Sequence, residues 1–349
     1  MIRIPFSLLA TLYALVIRLR IKLYEKDLLR KKKVLCRVVS VGNLTVGGTG
    51  KTPFTIYLAE EWKKRGMRIG IVSRGYGRKN RAPVILVTDG KTFFEEHSSV
   101  GDEPALMAQR LKGVPIVVSG DRFKGCQWLL EKFKVDLILL DDAFQHLRIH
   151  RDLNILLVDA TRPFADGHLL PRGSLREPLS ETRRADLVIL TRADQPVKME
   201  ITMKKTMEFL RKSGIPQLQS RFQATGFVDL KTDDIVSLSH LENQRVFPFC
   251  GIGNPDAFLK QLLQLGLRFD DAMFFQDHYA FQVSDFLKIE TRGREAGAAW
   301  WVTTEKDAVK IKSLINKGLT ISNIKIVALR IDVAFFESDF ETERLLFKG

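Results

Sequence analysis

Short apolar runs alternate with stretches of helical periodicity through most of the chain. Val34–Val41, Arg68–Ser73, Val84–Val87, Pro115–Ser119, Leu137–Asp141, Asn154–Val158 and Leu187–Thr191 read as strands. Helical patterns fall between several of them, as in Phe54–Lys64, Glu103–Leu111 and Phe123–Phe133. This alternation predicts an α/β fold with a parallel sheet flanked by helices. Leu137-Ile138-Leu139-Leu140 is apolar throughout, as a strand covered on both faces must be. Gly214, Pro216 and Gly226 interrupt the pattern, so a boundary is expected near residues 214–226. Beyond it, Arg245–Cys250, Ala299–Thr303 and Lys325–Ile331 suggest a second, smaller α/β domain. The expected division is an N-terminal helix over 1–33, a core over 34–221 and a smaller domain over 222–349. Fourteen of the 23 Phe residues lie at or after Phe222. They read as core, with contact to acyl chains as the functional alternative.

The N-terminus departs from this pattern. Ile4–Ile17 is almost wholly apolar, broken by Pro5, Ser7 and Thr11. As a helix it spans about 20 Å, short of a ~30 Å hydrocarbon core. A secretory signal is not expected, because no small-residue cleavage site follows. Leu8, Leu12, Leu15, Leu19 and Leu23 recur at helical spacing, and Arg18, Arg20, Lys22, Lys26, Arg30, Lys31, Lys32 and Lys33 follow closely. Residues 1–33 hold nine basic and two acidic residues, a net of +7 within a chain of +14. The expectation is a helix lying in the interface of an anionic membrane, with packing against the core as the alternative. Because the charge adjoins an apolar helix, a membrane surface is favoured over nucleic acid. Cys36, Cys126 and Cys250 lie far apart and form neither a disulfide framework nor a zinc signature.

The chemistry begins after the first core strand. Thr45-Val46-Gly47-Gly48-Thr49-Gly50-Lys51-Thr52 joins that strand to a helix, which is the P-loop arrangement. Backbone N–H groups and a helix N-terminus would cradle phosphates. Lys51 would reach the β- and γ-phosphates, and the Thr52 hydroxyl would hold Mg²⁺. Thr45 stands where the general pattern has its first Gly. Asp141-Asp142 closes an apolar strand, as a Walker B carboxylate does, and the sequence does not rank the two as metal ligands. Thr191-Arg192-Ala193-Asp194 loosely matches a guanine-reading motif, but a helix-entry turn capped by Asp194 is the better explanation.

These residues resemble one family. Val41–Pro53 is similar to the P-loop of tetraacyldisaccharide 4'-kinases, the lipid A 4'-kinases, and Thr45 is expected there. The resemblance extends through Ser73-Arg74-Gly75-Tyr76-Gly77, Gly101-Asp102-Glu103-Pro104, Leu140–His146, Leu170–Pro178 and Thr304–Val309. Ala143 stands where a Gly is commoner. The resemblance implies transfer of the ATP γ-phosphoryl group to the 4'-hydroxyl of a tetraacylated disaccharide 1-phosphate, by a peripheral protein on the cytoplasmic face of the inner membrane. It implies Asp142 and Glu177 as further metal ligands and Asp102 as base, assisted by His278. Arg74 and Arg122 would contact phosphate or substrate. The rival classes are a nucleotide-switched membrane adaptor of the P-loop ATPase type and a GTPase.

Overall fold

The computed structural model describes residues 6–94, 97–195, 200–319 and 324–347. Arg3 and Ile4, at the start of the apolar N-terminal run, lie outside them. The chain opens with α1 (Phe6–Glu25), then β1 (Arg37–Gly42), α2 (Lys51–Lys64), β2 (Ile69–Ser73), β3 (Ile85–Thr88), α3 (His97–Val100), α4 (Asp102–Arg110), β4 (Ile116–Val118), α5 (Arg122–Lys132), β5 (Leu137–Asp141) and β6 (Leu153–Asp159). A 3-10 turn at Leu179–Arg184 leads to β7 (Leu187–Thr191), α6 (Glu200–Ser213) and β8 (Gln217–Asp229). The remainder is β9 (Ile235–Val236), α7 (Leu238–Leu241), β10 (Val246–Cys250), α8 (Pro255–Gln264), β11 (Met273–Phe274), α9 (Val283–Glu295), β12 (Trp300–Thr304), α10 (Glu305–Asn316), β13 (Ile326–Phe335) and α11 (Asp339–Leu346).

The strands form one mostly parallel sheet, in the order β11-β10-β12-β13-β8-β7-β6-β1-β5-β2-β4-β3, with β9 beside β8. Among the described residues, the antiparallel ladders are β3 with β4, β8 with β9 and β8 with β13. The expected α/β architecture is therefore present, and each strand named from the sequence falls within a few residues of an observed one. β1 starts at Arg37 rather than Val34.

β8 carries the sheet through the region where a boundary is expected. Its first residues pair with β7 (Val188 with Gln217), and Ser220–Asp229 pair with β13. The centre is apolar: Val39, Val41, Ile71, Ile138, Leu139 and Leu140 are fully buried. Parallel strands covered on both faces place their carboxyl ends together, and that edge is where α/β sheets bind ligands. β1, β2 and β5 end there in Gly42, Ser73 and Asp141.

α2 follows the P-loop and leans its far end on the C-terminus. Trp62 is buried and meets the Phe347 ring edge-on at 5.3 Å. Trp62→Ala should cost about 3–5 kcal/mol, the range for a large aromatic removed from a core. Denaturant unfolding should show a lower midpoint at unchanged slope, and an unmoved midpoint would refute the role given to this contact.

Candidate functional site

Gly42 ends β1 where a Cβ would stand 2.6 Å from the Phe144 backbone nitrogen, so only glycine lets β1 pass the turn after β5. The loop from Asn43 to Gly50 then opens outward. It is braced from one side: Val46 N–H donates to Ser174 O (2.8 Å), and Arg176 N–H donates to Leu44 O (2.7 Å). Added Cβ atoms at Gly47 and Gly48 would meet nothing, which leaves this stretch of backbone facing free space. Lys51 and Thr52 open α2. Lys51 Nζ donates to Asn43 Oδ1 (3.2 Å) and lies 3.6 Å from Asp142 Oδ1.

The two aspartates at the end of β5 diverge. Asp141 is buried within the sheet layer and accepts from Thr55 Oγ1 (3.2 Å) and Ser73 Oγ (3.0 Å). Burial, with Glu103 and Asp142 close by, pushes its carboxyl well above the ordinary range. Asp142 turns out in a left-handed conformation (φ 46°) and accepts two hydrogen bonds from Arg176 Nη1, at 2.9 and 3.0 Å. Burial works against its charge, but Lys51 and Arg176 hold its carboxyl below the usual value. Asp142, Thr52 and Lys51 line the cleft, and Asp141 stands behind them.

Asp102 and His278, separated by 176 positions, meet at 3.1 Å between Oδ2 and Nδ1. Gly101 (φ 98°) starts α4 so close to the preceding motif that a Cβ there would lie 2.7 Å from Tyr76 O. Tyr76 in turn stacks obliquely on His278, with ring centroids 5.3 Å apart. Burial alone would raise the Asp102 carboxyl. The His278 hydrogen bond and the Lys310 and Lys306 charges instead keep it below its ordinary value. This pairing therefore stabilises the fold above the ordinary carboxyl range, and the contribution is lost as pH falls through the lowered value. P-loop, Asp142, Glu103 and His278 all line one cleft of about 420 Å³.

Of the residues named from the sequence, Arg74, Arg122 and Glu177 lie off this cleft, as do Thr45, Asp141 and Asp102, the last of which bonds His278. Arg122 is buried and donates to the backbone oxygens of Ser119 (3.1 Å), Asp141 (3.2 Å) and Asp142 (3.1 Å). Burial pushes its guanidinium down to about 10. It holds the end of β5 in place. Arg74 is exposed on the loop after β2. Glu177 is buried in an ion pair with Arg184. His146, which also sits in a quoted motif, is largely buried, and burial pushes its imidazole down to about 4.

The oxygen donors at the cleft suit a hard cation. Mg²⁺ is held by one or two carboxylates and substrate phosphates rather than by a protein cage. The Thr52 hydroxyl and the Asp142 carboxylate, both lining the cleft, are donors of that kind. Among the described residues, no cluster of three or more His, Cys, Asp or Glu forms a cage. Asn43, Glu103, Arg176, Lys306 and Lys310 were given no role from the sequence. All but Lys310 lie inside quoted motifs, and Lys310 follows one directly.

A family model described as tetraacyldisaccharide-1-P 4'-kinase matches residues 2–347. The chain belongs to the tetraacyldisaccharide 4'-kinase family. It is 38% identical over 320 residues to the tetraacyldisaccharide 4'-kinase of Syntrophus aciditrophicus, covering 88% of this chain and 85% of the relative. With that of Desulfatibacillum aliphaticivorans it shares 39% over 350 residues, covering 97% and 91%. The solved LpxK of Aquifex aeolicus in complex with ATP superposes with a TM-score of 0.78 at 35% identity, covering 98% of this chain and 97% of that one. Family membership accounts for the ordered motifs around the cleft, which neither an adaptor nor a GTPase reading explains.

Gly101→Ala places a Cβ against Tyr76 O at a backbone angle that L-residues avoid. It should cost roughly 1–3 kcal/mol and displace Asp102 from His278. Turnover should fall at least tenfold, on the order of a lost positioned base. Full turnover in this variant would separate the loop geometry from function.

Proposed function

We propose that this protein transfers the γ-phosphoryl group of ATP to the 4'-hydroxyl of a tetraacylated glucosamine disaccharide 1-phosphate. The observation that carries the reading is a single cleft with the P-loop on one wall and His278, bonded to Asp102, on another, in a chain of this family. Phosphoryl transfer asks mainly for positioning and charge neutralisation. Lys51 and the loop N–H groups bind the phosphates, and Arg176 keeps Asp142 ionised. Thr52 and Asp142 would hold Mg²⁺, which would neutralise charge on the transferring group. The acceptor oxygen attacks phosphorus, ADP leaves, and Asp102 takes the hydroxyl proton while His278 orients it.

Access to a lipid requires the protein to meet the membrane, and α1 supports that. Among the described residues, no helix is long and apolar enough to cross a bilayer. Yet Leu8, Leu12, Leu15, Val16 and Leu19 form an exposed stripe on α1, each more than half exposed. The opposite side docks: Tyr13 Oη donates to Arg176 O (2.8 Å), and Arg20 Nη2 donates to Gln145 O (2.9 Å). The stripe seats in the interface of an anionic leaflet on the cytoplasmic side, with the basic residues over headgroups. Residues 222–349 act as the smaller unit that carries His278 to Asp102.

Two measurements test this reading. ADP release should depend on the disaccharide lipid and yield a lipid carrying a new phosphate. Lys51→Ala should abolish both with the fold intact, and phosphorylated lipid formed at near-normal rate by Lys51→Ala would overturn the assignment. Separately, replacing Leu12, Leu15 and Leu19 together by Ser should leave folding and nucleotide affinity unchanged. Partition onto anionic vesicles should drop more than about tenfold, since each buried Leu is worth roughly 1.5–3 kcal/mol. Undiminished partition would make α1 a packing element only.

A further inference from the structure

Thr191-Arg192-Ala193-Asp194 loosely matches a guanine-reading motif, yet the fold puts these residues to another use. Asp194, the acid of that motif, is exposed and does not line the cleft. Thr191 and Arg192 instead reach the P-loop backbone. Thr191, fully buried at the end of β7, donates from Oγ1 to Thr49 O at 3.1 Å, with Val158 O further off at 3.5 Å. Arg192 Nη1 donates to Gly48 O (3.0 Å) and is held by Asp159, the last residue of β6.

The sheet fixes this turn. On one side Ala160 N–H donates to Thr191 O (2.9 Å), and on the other Ala193 N–H donates to Ser220 O of β8 (3.0 Å). Between them Arg192 takes a left-handed backbone (φ 56°), which residues with side chains rarely adopt. Its guanidinium lies 5.3 Å from the centroid of the Phe222 ring. That ring covers Gly50, where a Cβ would stand 2.1 Å from Phe222 Cζ.

A trans peptide points its C=O and the next N–H in opposite directions. Two successive carbonyls of the loop, those of Gly48 and Thr49, are bonded from the β7 side. The N–H groups of Thr49 and Gly50 therefore face away from β7. The Thr49 N–H turns onto Gly47 O (3.2 Å), and Thr49, Gly50, Lys51 and Thr52 all line the cleft. We propose that Thr191 and Arg192 are positioning residues that set these two peptide planes, so that the loop offers nucleotide phosphates its N–H groups and keeps its carbonyl oxygens turned back. The inference rests on the kinase reading, in which this loop binds the phosphates of ATP, and adds what shapes the loop. Thr191 is the cleaner witness. It is fully buried and bonds the loop backbone, so its effect on nucleotide passes through the loop.

Calorimetry on the full-length protein in detergent, with Mg²⁺, gives Kd for ATP and for inorganic tripolyphosphate, which has no base. Thr191→Val keeps the side-chain shape and loses the donor. Both Kd values should then rise about tenfold, the scale of one hydrogen bond to a charged group. KM for ATP should follow, with kcat changed less than about threefold, because the loop holds phosphate alike in the ground and transition states. Thr191→Ser, which keeps the hydroxyl, should restore both affinities. Arg192→Ala should weaken both ligands by the same factor and speed amide hydrogen exchange across residues 44–52 in protein without nucleotide. Should Thr191→Val fail to fold, these two Arg192→Ala readouts decide. Unchanged affinities in folded Thr191→Val would overturn the proposal, and a lower unfolding midpoint alone would make Thr191 a packing residue. Two Arg192→Ala results would also overturn it. Weakened ATP with unaffected tripolyphosphate would mean a contact to the base, and weakened binding of both at unchanged exchange would mean a direct contact to phosphate. Failure of the kinase reading looks different: unsubstituted protein that binds ATP and leaves the lipid unphosphorylated.

Discussion

The backbone ladder of β8 is the constraint on which the cleft depends. Its first residues continue the parallel sheet from β7, and the rest pair antiparallel with β13 from Ser220–Phe335 to Asp229–Val327. No linker intervenes, so β12, β13 and α10 have a definite position relative to β1 and β5. Side chains reinforce the junction. Arg110, at the end of α4, is nearly buried and pairs with Glu305 on α10 (2.9 Å) and with Asp332 on β13. Arg330 also reaches Glu305 (3.0 Å). Surface pairs contribute little, but here the charges are partly buried and shared, and losing one partner would leave the others desolvated. The 3.1 Å contact between Asp102 and His278 is thus held by a sheet and an ionic cluster, not by local chain geometry.

That origin explains what was legible. Strands covered on both faces announce themselves, because Leu137–Leu140 and Leu187–Leu190 have no polar position to confuse the pattern. β8 does not. Its exposed positions include Gln219, Arg221 and Gln223, and Pro216 and Gly226 sit near its start and within it, where they read as punctuation. The P-loop is legible because its function lies in contiguous residues. The Asp102–His278 pair is not, since nothing in spacing brings positions so distant together, and only the family resemblance named it. The aspartates show a finer limit. Adjacent residues at a strand end face opposite ways, but which faces the cleft depends on the left-handed turn at Asp142 and on Thr55 and Ser73 waiting for Asp141.

Arg122 and Glu177, named through the family resemblance, stand behind the cleft wall rather than in its lining. A buried Arg in a kinase motif suggests an anion, yet Arg122 spends its hydrogen bonds on three backbone oxygens. Those bonds tie the end of β5 to the turn before α5. The brace serves Asp142 indirectly, by fixing the turn on which it sits. Glu177 has a similar placement one step further out. It pairs with Arg184, while its neighbour Arg176 provides the group that reaches Asp142.

Arg176 also joins the cleft to α1. Tyr13 bonds its backbone oxygen and Asp142 its side chain, so one residue links the helix to the aspartate beside Lys51. A second route runs from Arg20 to Gln145 O, from Gln145 Nε2 to Asn43 O (2.8 Å), and from Asn43 Oδ1 to Lys51. The two faces of α1 therefore differ in kind. The outward stripe is apolar and exposed, while the inward face makes directed bonds to the residues that hold Lys51. A helix that only anchored the chain would need the first face and not the second. Bonds to backbone oxygens resist side-chain rearrangement, so the proposed membrane face and the nucleotide loop keep a fixed relation. That suits a reaction whose two substrates arrive from different phases: the nucleotide from water and the lipid hydroxyl from the bilayer surface.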